Sequence, residues 1–428
     1  MRDRSGKAAA CVLVLLLVWL PARSGLAAEP LTLAQAQTEA RAHAPDVDLL
    51  AARLTAADAL ATDARRAVRR DPTLNFNAAP GEFGGDNSER DIGVGLRWSL
   101  DVTGSWVPRR ISAGADRDRT RHERDDGLRA LDEAVAIAHA DAEFLQRPVE
   151  RAESLLDLHD IAADAARRQL DAGTGNQIDL DAAELDQIQT GALVEQLRGD
   201  LRRAQVRLAR LLGRPPQPGV LVAETDALRG LPPQISADAV AARDPRIHAR
   251  QAEHYAAQKE RDTFRRLIWG GPTLGIDYNY RRRSILAGAF HGPGGSGLSA
   301  SWTDQEITLS VTAPIPVADR QTAGRARARG RIAVAEAQLA VTRADVSADV
   351  AASQEELRAA LAVMQRLAPS REILARELNL VELALKAGTM DAVTRAATLR
   401  RLLDVGRRLD EAHRACRIAL AHWVRQTV

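Results

Sequence analysis

The sequence predicts a mainly α-helical fold with a small β part, built from two copies of one unit. Three observations favour it: long stretches carry apolar residues at helical spacing, short alternating segments recur in both halves, and aromatic residues make up only 3% of the 428 positions. Long helices that pack through small side chains need few rings, because alanine lets helix axes approach closely. The chain has 59 basic and 57 acidic residues. This near-neutral balance excludes the clustered basic excess of a nucleic-acid-binding protein.

Residues 1–28 have the pattern of a secretory signal peptide. Arg2, Arg4 and Lys7 precede an apolar run over residues 8–20, and small residues follow it. The run is short for a spanning helix, so we expect export and cleavage, with a retained N-terminal anchor as the alternative. Cys11 precedes most of the run and cannot be a lipoprotein acceptor. Cys416 alone offers neither an intrachain disulfide nor a thiolate metal cluster.

The remaining chain divides into two repeats, at residues 29–225 and 226–428. An offset of 200 aligns the first landmarks, and an offset of 215 aligns the later ones, on either side of a Gly-rich insertion near His291. Repeats of this kind indicate duplicated supersecondary units. The aligned landmarks are Ala44-Pro45 with Asp244-Pro245, Pro72-Thr73-Leu74 with Pro272-Thr273-Leu274, Ile92 with Ile307, and Gly173-Thr174 with Gly388-Thr389.

Each repeat contains two predicted strands, at about residues 72–80 and 90–100 in the first and 272–282 and 304–314 in the second. Apolar and polar residues alternate in them, which gives one fully apolar face and one wet face. The wet face includes Asn75, Arg97 and Asp277. We assign the apolar face to membrane lipid: Leu74, Phe76, Val94, Leu96, Trp98, Ile276, Tyr278, Leu309 and Val311.

A soluble β-sandwich is the alternative reading of these strands. About 170 residues of helical sequence separate the two pairs, which disfavours a common sandwich core. Single-chain membrane barrels need about eight strands or more. Four strands per chain therefore indicate sharing, and a cyclic ring of three chains would make a 12-stranded β-barrel.

Long helices fill most of each repeat. A helical pattern runs from about residue 319 to 386, and roughly 65 residues would extend about 100 Å. We expect Pro148 and Pro369 to kink or break their helices. Two leucine-rich stripes are predicted to be core: Leu193, Leu197, Leu201 and Leu208 in the first repeat, and Leu357, Leu361, Met364 and Leu367 in the second.

Both predicted helical hairpins turn at an Ala-Gly-Thr sequence. Gly173 and Gly388 would supply left-handed helix caps, and Thr174 and Thr389 would cap the helices that follow. Asp179 and Asp391 lie in or near the first turns of those helices, where the helix dipole favours a carboxylate. Capping alone explains these residues, and a docking and gating surface at the tips is the second possibility.

With its duplication, paired Pro-Thr-Leu strand openings and paired Gly-Thr tips, the chain resembles the TolC family of outer-membrane efflux proteins over essentially its whole mature length. The resemblance implies a homotrimer with a 12-stranded barrel in the outer membrane of a Gram-negative bacterium and a helical tunnel in the periplasm. It implies tips that gate the tunnel at Gly173, Thr174, Gly388 and Thr389. These tips would meet a periplasmic adaptor (membrane fusion) protein, served by an inner-membrane pump of the RND type.

Two positions bear on the details of this resemblance. Family members often carry acidic residues just after the tip glycine, and Asp179 fits that place, whereas its counterpart in the second repeat is Thr394. The chain also lacks the acceptor cysteine of the lipoprotein members. This absence and the compact helices favour the heavy-metal, CzcC-like branch, while drug and protein substrates stay open.

The sequence therefore predicts a passive exit duct of a tripartite efflux system, with a periplasmic coiled-coil scaffold or adaptor as the alternative. Nothing in the sequence indicates an enzyme or a cofactor. The nine histidines form no metal-binding spacing, and no catalytic triad can be composed from the motifs.

Overall fold

A computed structural model describes residues 30–66, 71–83, 87–99, 101, 103–219, 222–223, 236–267, 271–287, 298–313, 322–386 and 392–427. The signal peptide predicted at residues 1–28 lies outside the described residues. In chain order the elements are α1 (Leu33–His43), α2 (Pro45–Asp63), β1 (Thr73–Phe83), β2 (Asn87–Ser99), α3 (Trp106–Asp171), α4 (Gln177–Leu211), α5 (Ala237–Ala241), α6 (Pro245–Arg266), β3 (Thr273–Ala287), β4 (Leu298–Thr312), α7 (Thr322–Lys386) and α8 (Ala392–Thr427).

The two longest helices run without interruption through their prolines. α3 has 66 residues and contains Pro148, and α7 has 65 residues and contains Pro369. The helices are therefore not broken at these prolines, so that half of the expectation of a kink or a break is wrong. A proline removes one backbone hydrogen bond, but the flanking turns of α3 are held by burial of Val149, Ala152 and Leu155. Side-chain packing thus offsets the local cost.

The four strands form one antiparallel sheet in the order β1-β2-β3-β4, with β1 and β4 at its edges. The pairing of β2 with β3 joins the two predicted repeats, with Leu96 opposite Ile276. The register brings the helix-linked ends of all four strands to one end of the sheet, at Thr73, Ser99, Thr273 and Thr312. The strands extend further from the helices than the sequence predicted, because the alternating pairing continues toward the β1–β2 and β3–β4 connections.

Small residues carry much of the helix packing. Ala36, Ala40, Ala142, Ala183 and Ala419 are completely buried, as the alanine-rich, ring-poor composition predicted. The predicted leucine stripe of α7 is also core. Leu357 and Leu361 pack with Cys416 and Ala419 of α8, and Met364 lies partly buried against them.

Near the tips, α3 packs with both helices of the second hairpin. Leu155 of α3 is buried together with Leu374 and Val381 of α7 and Leu399 and Leu402 of α8. The two predicted repeats thus also contact each other through α3 and α8, with α4 and α7 on the outer flanks. Among the described residues, no helix is both long enough and apolar enough to span a bilayer.

Candidate channel elements: sheet faces, hairpin tip and buried charges

One face of the sheet is apolar and exposed. Leu74, Leu96, Ile276 and Leu309 form a row across the four strands, and Phe76, Val94, Tyr278 and Ile307 form the next row. Their exposed fractions run from 40% for Val94 to 75% for Ile307. All nine residues assigned to a lipid face, including Trp98 and Val311, lie on this surface. Continuous exposed apolar surface of this kind marks a contact with lipid or with another protein.

The opposite face of the sheet is polar and contains closely placed glycines. Asn77, Gly93 and Asn279 are neighbours in the register. A Cβ on Gly93 would collide with the side-chain oxygens of both asparagines, and one on Gly95 would collide with Asp277. These glycines therefore make room for polar side chains to lie across the strands. Sequence reasoning identified the polar residues but missed this role of the glycines.

The tip of the first hairpin begins with a Schellman motif. α3 ends at Asp171, and Gly173 adopts φ 71°. The amide of Thr174 donates to the carbonyl of Gln169 at 3.0 Å, and the amide of Gly173 donates to that of Leu170 at 2.9 Å. Both bonds satisfy carbonyls that the helix end would leave free. The left-handed cap expected at Gly173 is therefore present.

Thr174 does not cap α4, so that part of the interpretation is wrong. Its Oγ1 donates back to the carbonyl of Gln169 at 3.2 Å. Asn176 is the N-cap instead, with its Oδ1 accepting from the amide of Ile178 at 3.2 Å. The physical reason is Gly175, which lengthens the turn. A Cβ there would lie 2.7 Å from the backbone nitrogen of Leu170, so only glycine fits this close approach.

The other predicted tip residues fall into two groups. Asp179 lies exposed in the first turn of α4, where its charge complements the helix dipole. Gly388, Thr389 and Asp391 lie outside the described residues, between the end of α7 and the start of α8. Thr394, the residue of the second predicted repeat that aligns with Asp179, is exposed on α8. No group of three or more potential metal ligands occurs in the part of the chain that is described.

One ion pair joins the two hairpins above the tips. Asp186 of α4 lies 3.7 Å from Arg400 of α8. The Asp186 side chain is 16% exposed and that of Arg400 is 74% exposed. The surrounding wall contains Leu155, Leu193 and Leu399. Since Arg400 is well solvated, the pair links the helices with only modest energy, about 1 kcal/mol or less.

A second ion pair, between α3 and α8, is buried. Arg151 of α3 lies 2.8 Å from Asp410 of α8, whose side chain is 1% exposed. A Cβ on Gly406 would meet the Arg151 guanidinium at 2.5 Å, so the glycine lets the arginine cross α8 to reach its partner. Burial raises the pKa of Asp410 despite the attraction of Arg151. Sequence reasoning missed this pair, because a charged residue within a helical stripe is usually solvated.

Two histidines on the same helices, His139 of α3 and His413 of α8, have lowered pKa values. His139 of α3 is completely buried, and its Nε2 lies 3.0 Å from the carbonyl oxygen of Leu31. Burial lowers the pKa of His139, and burial followed by the charge of Arg147 lowers that of His413. Both side chains are therefore held neutral in the folded protein near pH 7.

The histidines predict a stability loss in mild acid. Because the pKa of each histidine is lower in the folded protein than in the unfolded chain, the unfolded chain binds protons first as the pH falls. The folded state therefore keeps its full stability above the unfolded pKa of about 6.5 and loses stability below it. We expect the melting temperature to fall between pH 7.5 and 5.5, and to fall less in His139→Gln/His413→Gln, which cannot gain the charge. Calorimetry on both proteins at the two pH values measures this. An equal fall in both would contradict it.

Comparison with known proteins finds channel proteins with the same fold. Residues 32–214 match the family model described as outer membrane efflux protein. No curated protein matches the chain in sequence. Three similar solved structures are the outer-membrane channel OprN (21% identity, 92% of this chain and 89% of that chain covered, TM-score 0.67), the open state of the Neisseria gonorrhoeae MtrE outer membrane channel (18%, 92% and 88%, 0.69) and the Campylobacter jejuni CmeC outer membrane channel (10%, 92% and 85%, 0.73).

The fold is thus that of the solved outer-membrane channels. The family model over residues 32–214 supports the resemblance to the TolC family of outer-membrane efflux proteins, and the solved channels share the fold over 92% of the chain. This family and these neighbours are channel proteins and not enzymes.

Proposed function

We propose that the chain is the outer-membrane exit duct of a tripartite efflux system, which passively conducts substrates from the periplasm out of the cell. The observation that carries the proposal is the sheet with one exposed apolar face and one polar face. In a bilayer the apolar face lies against lipid, while the polar face lines a hydrated lumen. The long helices would then extend from the outer membrane into the periplasm.

A homotrimer closes the sheet. The edge strands β1 and β4 have unpaired outer sides within the chain, and an open edge is a template for pairing with another copy. Three chains joined from β4 to β1 make 12 strands in a ring, which is a heterologous contact that closes with cyclic symmetry.

The flanking helices support the same arrangement. α4 exposes Ile178, Leu185 and Ile188, and α7 exposes Val334 and Val341, each by more than half of its surface. Apolar residues at heptad-like spacings on both outer flanks favour packing of α4 in one chain against α7 in the next. The helices would then close into a tunnel beneath the barrel.

The hairpin tips are proposed to form the gate and to dock a periplasmic adaptor protein. Gly173, Thr174 and Asp179 belong to the first tip, and Gly388, Thr389 and Asp391 to the second. Adaptor binding would favour an open tunnel only by contacting the open tips better than the closed ones. An inner-membrane pump, which we propose to be of the RND type, would load the duct and select the cargo.

The Asp186–Arg400 pair gives a test of gating. The substitution Asp186→Ala removes this ion pair and should let the hairpins separate more often. The open fraction of single channels should rise severalfold, because a loss of about 1 kcal/mol shifts a two-state equilibrium about fivefold. Asp164→Ala is the control, since Asp164 pairs with Arg167 of the same helix at 3.7 Å. Equal open fractions in wild type, control and variant would show that the Asp186–Arg400 pair does not contribute to gating.

The duct itself is tested in cells. Outer-membrane fractions should contain a heat-resistant trimer of this chain, and deletion of its gene should raise the intracellular level of the cargo of the associated pump. A soluble periplasmic monomer would contradict the proposal and favour a scaffold.

A further inference from the structure

The helix ends next to the sheet are rich in arginine. α2 and α6 lead into β1 and β3, and α3 and α7 follow β2 and β4, so all four ends meet the sheet at the same side. Arginine pairs occur at three of them: Arg65 and Arg66, Arg109 and Arg110, and Arg265 and Arg266. α7 has Arg325, Arg327, Arg329 and Arg331 before its first acidic residue, Glu336.

Nearby carboxylates neutralise only some of these arginines, among them Arg331, which pairs with Glu260. Asp101 accepts from the hydroxyls of Ser105 at 2.5 Å and Thr103 at 2.8 Å. Asp63 lies 3.6 Å from Arg66, and both side chains are mostly exposed. Neither Arg65 nor Arg110 has a carboxylate within ion-pair distance among the described residues. The guanidinium groups of Arg65 and Arg110, near the helix-linked end of the sheet, are therefore available to bind an anion.

Arg65 and Arg110 face a common cavity between α2 and α3. The cavity has a volume of about 410 Å³, and its other lining residues are Ala61, Gly114 and Arg117. Arg117 is already paired with Asp58. A Cβ on Gly114 would meet no atom within 4 Å, so the missing side chain leaves the space open. The cavity is therefore lined by small residues and by two unpaired cations.

The surroundings of the cavity match a membrane interface. The Arg110 guanidinium carbon lies 5.5 Å from the centre of the Trp106 ring at the start of α3. Trp98 lies near the helix-linked end of β2 and is 38% exposed on the apolar face. Tryptophan is enriched where lipid tails meet headgroups, and basic clusters beside membrane segments bind anionic lipid headgroups.

We propose that this cavity binds the phosphodiester headgroup of an anionic phospholipid in the leaflet nearest the helices. The inference rests on the proposed function, which places the sheet in the membrane. Guanidinium groups suit the site because their planar N–H donors bind two phosphate oxygens at once. The lipid tails would continue along the apolar face of the sheet, past Trp98. Bound lipid would then fix the depth of the channel in the membrane.

Native mass spectrometry of purified trimers with added phosphatidylglycerol tests this site. Arg65→Gln/Arg110→Gln should weaken binding about 30-fold, from roughly 1 kcal/mol per arginine near a membrane surface. Gly114→Leu keeps both charges but fills the cavity, and it should lower binding as well. Arg371→Gln/Arg376→Gln is the control, because these exposed arginines lie on α7 far from the sheet and should bind lipid as wild type does.

Three outcomes would overturn the proposal. Equal lipid binding in wild type and Arg65→Gln/Arg110→Gln would exclude the site. An equal loss of binding in the control would show that lipid responds to the overall positive charge of the protein and not to this cavity. Displacement of the lipid by millimolar inorganic phosphate would show a free-anion site. Wild-type trimers that conduct ions but bind no lipid would refute this inference and leave the proposed function intact. The absence of membrane-inserted, conducting trimers would refute the proposed function itself.

Discussion

Tyr278→Arg is expected to abolish the outer-membrane trimer. Tyr278 lies in the second row of the apolar face, between Val94 and Ile307, and is 40% exposed. An arginine on the lipid face near the bilayer midplane costs about 2–4 kcal/mol, and a trimer carries the cost three times. Heat-resistant trimers in outer-membrane fractions, detected by electrophoresis without boiling, should fall below a tenth of the wild-type level.

The adjacent residue supplies the matched control for this substitution. Asn279 follows Tyr278 on β3 but lies on the polar face, beside Gly93. Asn279→Arg adds the same charge toward water, so its trimers should assemble as in wild type. If both variants assembled equally well, the apolar face would not contact lipid, and the proposed orientation of the sheet would be wrong.

Arg151→Met is expected to cause the largest loss of stability among the helix substitutions. It leaves the Asp410 carboxylate buried between α3 and α8 without its partner, which costs about 3–5 kcal/mol. Thermal unfolding of detergent-solubilised protein at pH 7.5 should show a melting temperature several degrees lower. Removing both charges, in Arg151→Met/Asp410→Leu, should restore most of it, because two apolar side chains leave no unpaired charge.

The pH dependence of this loss has a defined sign. Because burial raises the folded-state pKa of Asp410, the carboxyl takes up a proton in the folded protein before it does so in the unfolded chain. Protonation removes the unpaired charge, so the deficit of Arg151→Met relative to the double variant should shrink on acidification. A deficit that is independent of pH would show that Asp410 is not the source of the loss.

Periodicity and the repeat predicted the helices, the four strands and the exposed face, because these depend on side chains at regular spacing. Tyr278 and Leu309 could be assigned to one face from alternation alone. The positive φ of Gly173 was predictable too, since a glycine just past a helix end commonly takes that conformation.

The features that sequence reasoning missed depend on contacts between distant parts of the chain. Asn176 replaces Thr174 as the cap of α4 because Gly175 lies against the end of α3. Pro148 stays inside α3 because buried side chains hold the turns around it. Asp410 is buried because Gly406 admits Arg151, and no local pattern distinguishes it from the solvated carboxylates of the same helix.

Conductance in planar bilayers tests the central claim most directly. Purified wild-type trimers should insert and give discrete current steps of uniform size, with Asp186→Ala open for a larger fraction of the time. Protein that binds detergent but neither assembles into trimers nor produces current steps would contradict the assignment of this chain as an outer-membrane exit duct.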